Sequence, residues 1–120
     1  MAVILIVEDE MFIRQSAEWT IGDLGHDTLI AGDLTEALAH LDKTHTIDAL
    51  FVDIRLDRVA DGGYDVANQI HKFWPDLKVL YTSGTPLTEA MTGQFVRGGH
   101  FLQKPYSPAQ LEVSVEGLLQ

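Results

Sequence analysis

Apolar and polar positions alternate along the chain in a regular way. Five short apolar runs, at residues 2–7, 27–31, 49–54, 77–82 and 100–103, are separated by stretches with a longer period. The first, third and fourth runs are apolar at nearly every position, as strands covered on both faces are. The second and fifth are shorter and more polar, which suits less buried places in the same sheet.

Between the runs the spacing is helical. Ile13, Ala17, Ile21 and Leu24 fall on one face, and Leu34, Ala37, Leu38 and Leu41 on another. Val66, Ile70 and Phe73 form a third face, and Leu111, Val115 and Leu118 a fourth. "DLTE" at residues 33–36 reads as a capping box with Asp33 at the N-cap and Glu36 at N3. Pro86 and Pro108 suit first helical turns, and Gly25 and Gly98–Gly99 suit helix ends. Leu87, Met91 and Phe95 keep helical spacing, so a helix is expected over about residues 86–96. Gly93, Thr88 and Thr92 should make it the least stable of the set. Trp19 and Trp74 read as packing residues near helix ends.

Five strand–helix alternations predict an α/β fold, a parallel sheet with helices on both faces. Ligands of such open sheets bind beyond the carboxyl ends of the strands. In this chain those ends carry acids. "VILIVEDE" runs into Glu8, Asp9 and Glu10, and "ALFVDIRL" delivers Asp53.

Composition sharpens the reading. A chain of 120 residues suits a single domain over residues 1–120. A net charge of −10 excludes a general nucleic-acid binder and favours basic partners or bound cations. With no cysteine, disulfides, thiolate zinc sites and thiol catalysis are excluded. "MAVILIVEDE" lacks a basic leader segment, and its six-residue apolar run is too short to span a bilayer. A cytoplasmic protein without membrane insertion is expected.

If the first and third strands are neighbours, Glu8, Asp9 and Asp53 converge. Carboxylates so placed repel one another unless a cation is shared, and Mg²⁺ prefers such oxygen ligands. A solvated acidic loop would show the same spacing. The other strand ends favour the first reading. "VLYTSGT" brings the hydroxyls of Thr82 and Ser83, and "FLQKPY" brings Lys104. An acid cluster, a hydroxyl and an ammonium suit phosphoryl transfer. Asp53 would be the nucleophile, Mg²⁺ and Lys104 would stabilise charge, and Ser83 would donate to a phosphoryl oxygen.

With "VEDE", "FVDIRL", "GGYDVA", "YTSG" and "FLQKPYS" in place, the chain resembles the receiver domain of two-component response regulators over essentially its whole length. Asp53 to Ser83 spans 30 residues and Ser83 to Lys104 spans 21, close to the family's spacing. The resemblance implies a flavodoxin-like (βα)5 doubly wound sandwich with strand order 2-1-3-4-5. It implies that Asp53 is the phosphoacceptor and Asp9 the main metal carboxylate, with Glu8 its partner, often through water. The backbone carbonyl of Arg55 would be a further metal ligand. Ser83, followed by the small Gly84, would be the switch hydroxyl rather than Thr82. Lys104 would bind phosphate, Lys104–Pro105 would be a cis peptide, and Phe101 would be the switch aromatic. Mg²⁺ is the implied cofactor, with Mn²⁺ as a substitute.

Two departures stand out. Glu8 replaces a frequent aspartate, and the loop "DIRLDRVADGGYD" is about two residues longer than the family pattern. Arg55 and Thr85 occupy positions that in the family border the attacking water and influence dephosphorylation. The five histidines show no ligand spacing and read as surface or satisfied residues. Asp57, Asp61 and Asp65 lack the glutamate of a calcium loop.

The leading expectation is a phosphorylation switch of a two-component system or phosphorelay, a signalling domain and not a metabolic enzyme. Its donor would be a histidine kinase or histidine phosphotransfer protein. Its output would be the face of helix 4, strand 5 and helix 5, acting on a downstream protein or through a phosphorylation-dependent dimer. The receiver fills the chain, so no DNA-binding output domain is expected; the competing view is a fragment of a larger regulator or hybrid kinase. Another alternative is an unphosphorylated docking module with the same fold. A phosphatase of another α/β family is disfavoured, because Arg55 stands where its second acid would be.

Overall fold

Each apolar run forms a strand. In the computed structural model, which describes residues 2–42, 46–56 and 61–120, the strands are β1 (Val3–Val7), β2 (Asp27–Ala31), β3 (Ala49–Asp53), β4 (Lys78–Ser83) and β5 (His100–Gln103). All pair in parallel in the order β2-β1-β3-β4-β5. β1, β3 and β4 are interior, and their nearly unbroken apolar sequences follow from helices covering both faces. β2 and β5 are the edges, which accounts for their more polar sequences.

Period-2 alternation divides the core. Leu5, Val7, Leu50, Val52, Val79 and Tyr81 face one side. There they meet α2 (Leu34–Ala39) and α3 (Gly62–Phe73) through Ala37, Val66, Ala67 and Ile70. Ile4, Ile6, Ala49, Phe51 and Leu80 face the other side. There they meet α1 (Met11–Asp23) and α5 (Pro108–Leu119) through Ala17, Ile21, Leu111, Val115 and Leu118. Burying each large aliphatic side chain contributes about 1.5–3 kcal/mol. No helix among the described residues is long and apolar enough to cross a membrane.

Register places the site. Val7 pairs with Ala31 and Val52, Asp53 with Thr82, and Thr82 with Leu102. The carboxyl ends of the strands therefore lie side by side. Glu8 is one residue beyond β1, Asp53 ends β3, Ser83 ends β4 and Lys104 is one residue beyond β5.

Helix ends follow local chemistry. Asp33 caps α2 by accepting from Glu36 N at 2.8 Å, but the Glu36 carboxylate reaches Gly32 N at 2.6 Å rather than Asp33 N. The predicted box is thus displaced by one residue. A full capping box occurs at Ser107 and Gln110, with Pro108 at N1. Gly25 takes φ +92° after α1, a left-handed turn that glycine adopts without steric cost.

Three further expectations need correction. The fourth helix, α4, is only Glu89–Thr92, with no buried residue. Thr88 caps it, Gly93 ends it, and Pro86 and exposed Leu87 lie outside. Met91 and Phe95 still pack on the core, Phe95 from the turns that follow α4. Phe73 is 64% exposed, because the row of Val66 and Ile70 closes at i+4 on Trp74, which packs on the core instead. Trp19 is 65% exposed on α1 and is not a packing residue.

Candidate functional site

Glu8, Asp9 and Asp53 each offer a carboxylate oxygen within 4.8 Å of the others. Glu8 and Asp53 are buried, whereas Asp9 is exposed. Lys104 Nζ donates to Glu8 Oε1 at 2.6 Å and to Asp53 Oδ2 at 2.9 Å. The three acids and Lys104 line an open cleft of roughly 640 Å³ together with Arg55 and Ser83. Glu10, the third acid of the opening motif, serves another purpose. It is the N-cap of α1 and accepts from Phe12 N and Ile13 N.

The Lys104 ammonium bonds the two buried carboxyl groups of the cluster, Glu8 and Asp53. Burial pushes the Glu8 carboxyl up to about 7, and the nearby Asp53 charge adds to the effect. The hydrogen bonds from Lys104 and Glu10 N oppose it without cancelling it. Burial acts to lower the Lys104 pKa, but its bonds to Glu8 and Asp53 outweigh burial and raise it. The lysine therefore remains charged at neutral pH.

A carboxyl raised from 4.5 to about 7 makes the metal-free folded protein bind protons that the unfolded chain has released. Stability from this group is complete below about pH 4.5 and is lost as pH rises through about 7. Glu8→Gln should flatten that slope and raise metal-free stability at pH 8 by about 2 kcal/mol. Urea unfolding at pH 5 and pH 8 checks this; parallel profiles for the two proteins would refute it.

Ser83 Oγ faces the cleft region and accepts from Thr85 N at 3.0 Å. Thr82 is buried in the sheet, and its Oγ1 has no hydrogen-bond partner among the described groups. Of the two hydroxyls, Ser83 is thus the one placed at the cleft. Arg55 is exposed at the rim. Phe101 is half-buried and stacks on Phe95, with ring centroids 6.4 Å apart. The Lys104–Pro105 peptide is cis. His26 Nδ1 is bonded to Ala2 N and His40 Nε2 to Ile30 O. Asp57 of the suspected calcium loop lies outside the described residues, as does His45.

Sequence reasoning missed two features. Tyr81, two residues before Ser83, is fully buried, stacks on Phe95 at 4.1 Å and accepts from Val96 N at 2.9 Å. It fastens the segment after α4 to the sheet. An aromatic within an aliphatic strand was the available signal. Arg14 Nη1 donates to the Glu8 backbone carbonyl at 3.0 Å, and only its charge among so many acids hinted at a role.

A five-stranded parallel sheet in this order, with acids, a hydroxyl and a lysine on its carboxyl edge, defines the receiver class of signalling domain rather than an enzyme family. Residues 4–116 match the family model of the response regulator receiver domain, and the chain belongs to that family. It is similar to protein PilG of Pseudomonas aeruginosa, at 30% identity over 90% of this chain and 80% of that protein. It is 26% identical to a probable transcriptional regulator, ycf27, of Porphyridium aerugineum, over 98% of this chain and 48% of the relative. The chain thus spans about half the length of the ycf27 relatives it matches. Among solved structures, the receiver domain of NtrX from Brucella abortus is 32% identical with a TM-score of 0.83, covering 97% of each chain. A response regulator receiver protein from Sinorhizobium medicae is 28% identical with a TM-score of 0.85, covering 98% of this chain and 94% of the other.

Proposed function

We propose that this receiver domain is a phosphorylation switch in which Asp53 accepts a phosphoryl group from a histidine kinase or histidine phosphotransfer protein. The observation that carries the reading is the Lys104 ammonium held between Glu8 and Asp53, with Asp9 and Ser83 at the same cleft. An Asp53 oxygen attacks phosphorus, and the bond from phosphorus to the donor imidazole nitrogen breaks. Lys104 offers its charge to the phosphoryl oxygens, and Ser83 donates its hydroxyl proton to one of them.

The donor set fits a hard divalent cation, because carboxylate oxygens of Glu8, Asp9 and Asp53 all lie within 4.8 Å of one another. Glu8, Asp9, Asp53 and the Arg55 carbonyl would hold Mg²⁺, or Mn²⁺ in its place, which supplies positive charge against the transferring group. Movement of Ser83 toward the phosphoryl group shifts the population of the α4–β5–α5 face, with Phe101 following. That face then engages a downstream protein or a second copy.

Incubation with acetyl phosphate and Mg²⁺ should add one phosphoryl group, about 80 Da by intact mass, and EDTA should prevent the addition. Absence of an adduct together with absence of beryllofluoride binding would favour the unphosphorylated docking module instead.

A further inference from the structure

We propose that Arg14 is a positioning residue for the carboxylate cluster, holding the peptide that links Glu8 to Asp9. The proposal rests on the cation-binding reading of Glu8, Asp9 and Asp53. Arg14 sits in the first turns of α1, and its Nη1 donates to Glu8 O at 3.0 Å. Glu8 N donates in the other direction, to Ala31 O at 3.1 Å. The two backbone groups of Glu8 are therefore tied to α1 and to the end of β2, while its carboxylate is engaged by Lys104 and Glu10 N. The orientation of that residue fixes where Asp9 begins.

The neighbouring loop leaves room for the guanidinium. A Cβ on Gly32 would stand 3.1 Å from Arg14 Nη1 and 3.3 Å from Glu36 Oε1. Glu36 in turn accepts from Gly32 N at 2.6 Å. The tips of the Arg14 and Glu36 side chains thus both approach a residue without a side chain. A methyl group on Gly32 would press the guanidinium by a few tenths of an ångström.

Charge and position predict opposite signs. As a bare cation near three carboxylates, Arg14 would compete with a bound metal, and its removal would tighten metal binding. As a hydrogen-bond donor that orders the ligands, its removal would weaken binding. A charge-assisted bond of this kind commonly carries enough energy for about a tenfold change in affinity.

Arg14→Met keeps an unbranched stem and a good helix former while removing the donors. Mg²⁺ titration followed by the amide resonances of Glu8, Asp9 and Asp53 should show about tenfold weaker binding, with metal-free melting lowered by a few degrees, because the same bond is present without metal. Arg14→Lys should recover much of the loss. Equal or tighter binding by the methionine variant would overturn the proposal. If that variant does not fold, Arg14→Ala removes the same donor with the best helix former in its place, and unchanged affinity there would overturn it equally. Failure of the unaltered protein to bind Mg²⁺ would instead remove the cation-site reading itself.

Discussion

Asp53→Ala should abolish the phosphoryl adduct and still fold. Asp53 is the last residue of β3, an interior strand buried along its length, so the backbone that presents it is fixed. The neighbouring acids are poorer substitutes. Glu8 is held by Lys104 and Glu10 N, and burial raises its pKa toward neutrality, so less of it is ionised. Asp9 is exposed in the loop after β1 and outside any strand. Loss of Asp53 costs Lys104 one of two partners but relieves repulsion on Glu8. These effects oppose, so melting should stay within a few degrees of the parent protein. Intact mass after treatment with acetyl phosphate and Mg²⁺ decides the matter. A full-stoichiometry adduct on the alanine variant would move the acceptor to another carboxylate.

Much of this site was legible because it depends on topology. Three strands apolar on both faces must lie inside a parallel sheet, and whatever follows them must surface at one edge. Glu8, Asp53, Ser83 and Lys104 each stand at or just beyond a strand end, so their meeting follows from register. What the sequence concealed depends on side chains bonding to backbone, which leaves no periodic trace. Glu10 ends the opening run of acids, and nothing in its spacing marked it as the cap of α1. Tyr81 and Val96 are joined by a bond between a strand residue and a turn that the weak helical spacing of residues 87–95 had placed in a helix. Phe73 and Trp19 kept the right residue type on faces that the fold leaves exposed. Hydrophobicity marks candidates for burial but does not compel it.

The aromatic path offers a physical link between the cleft and the segment around α4. Tyr81 lies on β4 with Ser83 two residues on, and its ring stacks on Phe95 at 4.1 Å. Phe95 stacks in turn on Phe101, and Tyr64 of α3 lies 5.8 Å from Tyr81. α4 itself has no buried residue, so it is anchored through Met91, Phe95 and Val96 rather than through a face of its own. A short helix held at one end by a ring stack and one hydrogen bond is less constrained than the strand beside it.

Gly63→Ala should be strongly destabilising. Gly63 is the second residue of α3 and donates to Ile54 O at 2.8 Å, so the helix begins in contact with the end of β3. A Cβ there would fall on the Asp53 carbonyl oxygen and stand 2.7 Å from Ile54 Cα and 2.8 Å from Asp53 C. All three obstacles are backbone, and none can swing aside as a side chain would. α3 must lift away or the end of β3 must bend, at a cost of about 3 kcal/mol. Because the bent segment carries Asp53, phosphorylation should slow as well. Gly117→Ala in α5 is the matched control. Its Cβ would meet nothing within 4 Å. The same substitution should there stabilise by about 0.5–1 kcal/mol through helix propensity. Urea unfolding of both variants reads the difference directly. Equal effects at the two sites would mean that α3 does not approach β3 as closely as its glycine allows, and the motif "GGYDVA" would lose its physical explanation.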